Sequence, residues 1–307
     1  MFSLQKLWTR KVGPLALTGG MAEDLVCIVT GPTSGIGKEI AKELARRGAQ
    51  GKQAIDRLTK PKSGICKRVL YSYAWLLLLE RKPLVTKSSI MSFAVILACR
   101  SMDKGNLLCK EIHQEAEEAG GAPPRVQAMQ LDLSSLASVQ AFAQAWEQSS
   151  RPIHVLINNA GIFSMASPRS ETMDGLEAHI GTNHLGHFLL TLLLMPYLKA
   201  GSLGLGRPAR VVNVASRLHL MCGKINKDDP HMSTRYVSLQ AYAQSKLAQV
   251  AFAAELTLRT KGEVIGVAVH PGEVTTDVVR SLPMFLQKLY KLIMGMILLT
   301  PSQGEPC

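Results

Sequence analysis

The sequence predicts an α/β domain built on a single doubly wound parallel sheet. Three observations carry this. Six short runs, "LVCIVTG" (25–31), "AVILACR" (94–100), "VQAMQLDL" (126–133), "HVLINNAG" (154–161), "ARVVNVAS" (209–216) and "VIGVAVHPG" (264–272), are almost continuously apolar and rich in β-branched residues. Strands buried on both faces of a parallel sheet have this composition. Stretches with helical spacing, such as "GKEIAKELARRG" and "SLASVQAFAQAWEQ", lie between most of them. Strand–helix alternation over this length favours a doubly wound sheet. No internal repeat or low-complexity tract competes with that architecture.

Residues 1–23 read as an N-terminal lead-in to a domain over 24–307. The first twenty residues hold three basic and no acidic side chains, a composition shared by organelle-targeting peptides and by plain leaders. No run is expected to reach the roughly 18 apolar residues that suggest a membrane-spanning helix. The six cysteines are scattered without a CxxC pair, so a disulfide scaffold and structural zinc are not expected, and an intracellular protein with reduced thiols is.

The first strand runs into "TGPTSGIGKE". Gly31, Gly35 and Gly37 allow a tight turn and close approach of backbone to phosphate, and the helix that follows offers free N–H groups and a positive dipole end. With a strand before and a helix after, this loop predicts dinucleotide binding. A residue that discriminates between cofactors is expected about 20 positions on, at the end of the second strand. That strand ends at Arg100, 63 residues after Gly37, and the spacing falls to 20 when residues 50–92 are left out. Residues 50–92 therefore read as an insertion between the first helix and the second strand. They hold nine basic and two acidic side chains, a large part of the chain's net charge of +12, so the overall basicity says little about partners and gives no argument for nucleic acid. Within them, 67–87 carries an apolar block, Ala74 to Leu79, fenced by basic residues. Arg100, with Lys104 close by, suits the 2′-phosphate of NADP(H); NAD(H) is the alternative cofactor.

Further along, "YAQSK" places Tyr242 and Lys246 four apart, on one face of a helix. An ammonium beside a phenol lowers the phenol's pKa and fits it for proton transfer. Ser216 ends a strand at the ligand edge of the sheet, and "INNAG" (157–161) and "HPGEVTT" (270–276) end two others. His184 and His187 read as structural, with no third metal ligand in view, and no metal is expected. His219 and His231 fall on the loop between Ser216 and Tyr242.

These motifs together, TGPTSGIG, NNAG, the serine after VVNVA, YAQSK and HPGEVTT, closely resemble those of the short-chain dehydrogenases/reductases. "VILACR", "TNHLGHF" and "SKLAQV" are most similar to the branch that holds retinol dehydrogenases and the WW-domain oxidoreductase, and "RYVSLQAY" and "VRSLPMFLQKLY" to plant Forever-Young-type oxidoreductases. The resemblance covers roughly 24–49 and 93–303. It implies a Rossmann fold and hydride transfer between NADP(H) and a hydrophobic small-molecule alcohol or carbonyl. By position, Tyr242 is implied as general acid/base, Lys246 as the group that tunes it and binds the nicotinamide ribose, Ser216 as the residue orienting the substrate oxygen, and Asn183 as the holder of a relay water. Gly31, Ser34, Gly35, Ile36 and Gly37 are implied at the phosphates. Asp132 and Leu133 fall at the adenine, Asn159, Ala160 and Gly161 along the cofactor cleft, and Pro271, Gly272, Val274 and Thr276 at the nicotinamide amide. The resemblance also implies that the chain stops short of a last helix and strand. The apolar segment 284–299 is then expected to cover the substrate or, like 67–87, to touch a membrane surface peripherally. The competing expectation is a catalytically impaired form that acts as a binding module or does not fold stably.

Overall fold

A computed structural model describes residues 25–50, 93–164 and 168–271. The lead-in, nearly all of the insertion, the terminal segment 284–299, and Gly272, Val274 and Thr276 lie outside the described residues.

All six expected strands form, as β1 (Leu25–Thr30), β2 (Phe93–Cys99), β3 (Arg125–Gln130), β4 (Val155–Asn158), β5 (Ala209–Val214) and β6 (Val264–Val269). They make one parallel sheet in the order β3-β2-β1-β4-β5-β6. The chain winds outward from β1 in one direction and returns to continue from β4 in the other, so the order reverses between β1 and β4. A doubly wound sheet binds its ligand at that switch point, beyond the carboxyl ends of the strands. The continuous apolar runs are explained by burial of every residue of β1 and β4. The edge strand β3 alternates instead, with Arg125, Gln127 and Gln130 exposed.

Helices cover both faces. On one side α1 (Gly35–Gln50) and α2 (Met102–Glu118) bury Ile40, Leu44, Leu108 and Ile112 against Cys27, Val29, Val95 and Leu97. On the other, α3 (Leu136–Ser149), α4 (Gly186–Leu205) and α5 (Ser238–Arg259) pack Phe142, Trp146, Leu190, Leu194, Phe252 and Leu256 on Val26, Ile28, Ile96 and Val211. Ile180–Leu205 is long and apolar enough to cross a membrane by length and composition, with a mean hydropathy of 1.5. The sequence hides this because Thr, Asn and His residues interrupt the run. Here the segment serves as a core helix, with Leu190, Leu192, Leu194 and Leu198 fully buried.

The register of β1 with β2 holds from Leu25↔Phe93 to Thr30↔Ala98 on either side of residues 51–92. A Cβ on Gly48, near the end of α1, would meet Phe93 at 2.9 Å. The chain thus leaves and re-enters the described fold at neighbouring points, at the amino end of β2.

Candidate active site

The turn after β1 is built around glycine. Gly31 has φ +61°, and its N–H donates to the Ala98 carbonyl at 3.0 Å. A Cβ on Gly37 would lie 2.3 Å from the Gly31 carbonyl oxygen, so α1 starts flush against the strand end. Gly35, at φ +52°, has open space where its side chain would be, and Ser34 beside it is exposed. Ile36 packs at the margin of the core. The first turn of α1 carries no acidic residue, leaving its positive dipole end uncompensated. A close backbone approach at Gly31 and Gly37, with open space at Gly35, fits a dinucleotide's phosphates.

Thr30 and Asn159 lock this loop to β4. Asn159 Nδ2 donates to the carbonyls of Thr30 (2.9 Å) and Gly31 (3.2 Å). The Thr30 hydroxyl accepts from the N–H groups of Asn159 (2.9 Å) and Ala160 (3.0 Å). It also lies 2.8 Å from His187 Nε2. His187 Nδ1 faces the Asn183 carbonyl at 2.9 Å, so Nδ1 holds the ring proton and Nε2 accepts from Thr30. Burial pushes the His187 pKa down to about 3 and that of His184 to about 4, which keeps both rings neutral. His184 packs against Phe188 and Phe252. Both histidines are structural, and among the described residues no cluster of His, Cys, Asp or Glu is placed to hold a metal.

Arg100 is exposed at the tip of β2, and its carbonyl accepts from Gln130 Nε2 at 3.0 Å. Lys104 is exposed in the first turn of α2. Asp132 follows the neighbouring strand, with Oδ1 accepting from Ser134 N (2.9 Å) and Ser134 Oγ (2.7 Å). Leu133 is buried, and its carbonyl oxygen would be 2.6 Å from a Cβ on Gly186.

The catalytic candidates converge on the carboxyl side of β4 and β5. Ser216 follows β5 and caps a short 3-10 turn (Arg217–Met221), its hydroxyl accepting from Leu218 N at 3.3 Å. That side chain also lies near enough to Tyr242 to act on its pKa. The Tyr242 ring leans on Phe163 at 4.3 Å and meets the edge of His179 at 6.0 Å. Lys246, one turn along α5, is buried; its Nζ donates to the Val214 carbonyl (2.9 Å) and to Gln249 Oε1 (3.0 Å) and stands 5.7 Å from the Tyr242 ring centre. A Cβ on Gly161 would lie 3.5 Å from Lys246 Nζ and 3.2 Å from Asn183 Oδ1, which ties the β4 motif to the same point. Pro271 follows β6 and is partly buried.

Asn183 lies in a π-helical turn (Ile180–Leu205 begins with it, over Ile180–Leu185). Its side chain accepts from Ile162 N (2.8 Å) and donates to the Ile162 carbonyl (3.1 Å) and Ser245 Oγ (3.0 Å). π-Turns recur at functional sites because they free backbone carbonyls.

The electrostatics depart from the expectation for Tyr242. Burial raises its pKa above the ordinary phenol value, and Ser216 opposes the rise. Lys246 Nζ makes its hydrogen bonds to Val214 and Gln249. Burial lowers the Lys246 pKa to about 7.

Sequence reasoning missed a buried group beside Tyr242. Glu177 accepts from His179 Nδ1 (2.8 Å), His179 N (3.0 Å) and Ile180 N (2.8 Å), and the Tyr236 hydroxyl reaches it at 3.3 Å. These bonds outweigh burial and hold the Glu177 carboxyl below its ordinary pKa. His179 Nε2 in turn accepts from Ser164 N at 3.2 Å. His231 accepts from Glu177 N through Nδ1 at 3.3 Å, and His219 Nδ1 sits 2.6 Å from the Ser216 carbonyl. "E.H" spacing in "GLEAHI" was the available signal, but only the fold brings Tyr236 to it.

Comparison with known proteins agrees with this geometry. Residues 89–285 match the family described as short chain dehydrogenase. Mouse retinol dehydrogenase 12 is 37% identical over 270 residues, covering 88% of this chain and 67% of that protein. The Arabidopsis thaliana dehydrogenase/reductase SDR family member FEY is 34% identical over 288 residues, covering 92% of this chain and 62% of the plant protein's own length. A solved structure of an uncharacterised protein from Mycobacterium paratuberculosis is 31% identical, with a TM-score of 0.55, covering 86% of this chain and 76% of that one. With its doubly wound sheet, its glycine turn and these relatives, the chain belongs to the short chain dehydrogenase family, oxidoreductases that act on CH–OH donors with a nicotinamide cofactor.

Proposed function

We propose that this chain is an NADP(H)-dependent oxidoreductase that interconverts a hydrophobic alcohol and its aldehyde or ketone, with Tyr242 as general acid/base. The observation that carries this reading is the placing of Tyr242 beside Ser216, just past the end of β5, with the Nζ of buried Lys246 5.7 Å from the Tyr242 ring centre. The bound nicotinamide supplies or accepts the hydride. Ser216 orients the substrate oxygen, and Tyr242 passes a proton to it or takes one from it. A pKa raised by burial keeps Tyr242 protonated near neutral pH, which suits donation to a carbonyl oxygen. Gly31, Ser34, Gly35, Ile36 and Gly37 hold the phosphates, and Asn159, Ala160 and Gly161 line the cleft.

Arg100 and Lys104, exposed at the end of β2, support a preference for NADP(H) through its 2′-phosphate. Asp132 and Leu133 then flank the adenine, and Pro271, with Gly272, Val274 and Thr276 after it, seats the nicotinamide amide. Leu220 (70% exposed) and Met221 (62%), on the turn that follows Ser216, support an apolar substrate. The relatives named for retinol give retinaldehyde as a first probe. The test titrates the protein with NADPH and NADH and then assays retinaldehyde and other apolar carbonyls. Tyr242→Phe is expected to abolish turnover while NADPH affinity is unchanged; undiminished turnover in that variant overturns the assignment.

The turn of Lys246 Nζ toward Val214 and Gln249 favours a second reading, a protein that binds the cofactor without chemistry. Saturable NADPH binding with no reduction across the carbonyl panel decides for it.

A further inference from the structure

The resemblance gives Asn183 a relay water. A side chain, that of Gln249, joins Asn183 to the lysine in this chain. Gln249, three residues after Lys246 on α5, is 1% exposed. Its Oε1 accepts from Lys246 Nζ at 3.0 Å, and its Nε2 donates to the Asn183 carbonyl at 2.7 Å. Its own carbonyl accepts from Asn213 Nδ2 at 2.9 Å, and Asn213 Oδ1 accepts from Asn158 Nδ2 at 2.9 Å. The glutamine is therefore held from β5, from the π-turn and from its own helix.

The orientation of the amide follows from its neighbours. The ammonium has no acceptor and the carbonyl no donor, so a flipped amide would set N–H against N–H and oxygen against oxygen. The π-turn makes the arrangement available. Asn183 O is shared by Gln249 Nε2 and His187 Nδ1 (2.9 Å). Ordinary helical pairing would leave that carbonyl less able to take two side-chain donors.

We infer that Gln249 is the positioning residue of the active-site lysine: its amide straps Lys246 to the Asn183 carbonyl, orients the lysine's charge and closes that side of it to water. An amide so oriented accepts at its oxygen and donates at its nitrogen, but it does not relay a proton as a water does, because that would require an imidic acid. The other side of Lys246 is the one toward Gly161 and Tyr242, and proton exchange takes that side.

The ionisable groups that face Lys246 among the described residues are Tyr242, on its own helix, and His187, from α4, which burial keeps neutral. The remaining contacts are the carbonyl of Val214 and the amide of Gln249. The inference rests on the lysine's role in the proposed function, and its test is chosen to separate the two. Gln249→Glu replaces the neutral acceptor by a charged one of nearly the same shape, and Gln249→Met removes both hydrogen-bonding groups at similar volume.

The readout is the titration midpoint of Lys246, followed by NMR on protein labelled with [ε-13C]lysine and assigned by the loss of one signal in Lys246→Met. It requires no turnover. Gln249→Glu is expected to raise the midpoint by about one pH unit or more, a tenfold change in the ratio of ammonium to amine. Gln249→Met is expected to lower it. In the active protein the corresponding limb of the kcat profile moves the same way in each variant. A midpoint unmoved in the folded Met variant overturns the strap, whether or not the Glu variant folds. A moved midpoint in a protein that turns nothing over keeps the strap and overturns the oxidoreductase assignment instead.

Discussion

A methyl group at position 37 would sit 2.3 Å from the Gly31 carbonyl oxygen and 2.4 Å from Asn159 Nδ2. The first of these is backbone and cannot swing aside. Gly37→Ala is therefore expected to push α1 off the strand end and weaken NADPH binding at least about tenfold, as read by fluorescence titration. Lys246 makes a different prediction at the same scale. Its pKa falls from 10.5 in the unfolded chain to about 7 in the fold. The unfolded state then holds a proton that the folded state lacks between those values, so this group's contribution to stability rises with pH across that window, and its full penalty applies below about 7. Melting curves of Lys246→Met against the parent are expected to show their most favourable difference for the variant at and below neutral pH, shrinking steadily toward pH 10.5. A difference independent of pH would contradict the depressed pKa.

Among the elements, α5 matters most to the chemistry, since it carries Tyr242, Lys246 and Gln249 on one continuous helix, Ser238–Arg259. Its seat on the sheet depends on a residue far from the site. A Cβ on Gly266, in β6, would meet the Ala253 carbonyl oxygen at 2.2 Å. Gly266→Ala is expected to cost about 1–3 kcal/mol in denaturant unfolding through forced separation of helix and strand. It should also lower kcat by shifting the helix that bears Tyr242. Full activity with unchanged stability would mean that α5 seats itself some other way. The half-buried pairs of Lys38 and Lys42 with Glu111 (2.7 and 3.4 Å) join α1 to α2, but surface pairs of this kind contribute at most about 1 kcal/mol.

For the whole molecule, the telling feature is the unbroken β1–β2 register together with the contact between Gly48 and Phe93. Both place the two flanks of residues 51–92 at the amino edge of the sheet, opposite the ligand edge. A chain lacking 51–92, with α1 joined directly to β2, is expected to fold and to bind NADPH at least as tightly as the full chain. Loss of folding in the shortened chain, measured by circular dichroism, would make the segment part of the fold rather than an insertion in it.

The sequence by itself determined the sheet and the phosphate turn. β1 and β4 are buried on both faces, so nearly every residue in them had to be apolar, and such runs are visible without any partner in view. The glycine turn is equally local, because backbone approach at Gly31 and Gly37 excludes a side chain whatever lies beyond. Tyr242 and Lys246 were legible because one helix sets their spacing. Contacts across the chain were not legible. Thr30 meets His187 over 157 residues, Glu177 meets Tyr236 over 59, and Gln249 reaches the Asn183 carbonyl over 66. The π-turn at Ile180–Leu185 has no sequence period of its own. Only the tertiary structure decided how Lys246 spends its hydrogen bonds and which way burial moves the pKa of Tyr242, because both depend on which groups packing brings within about 3 Å and on how much water it removes.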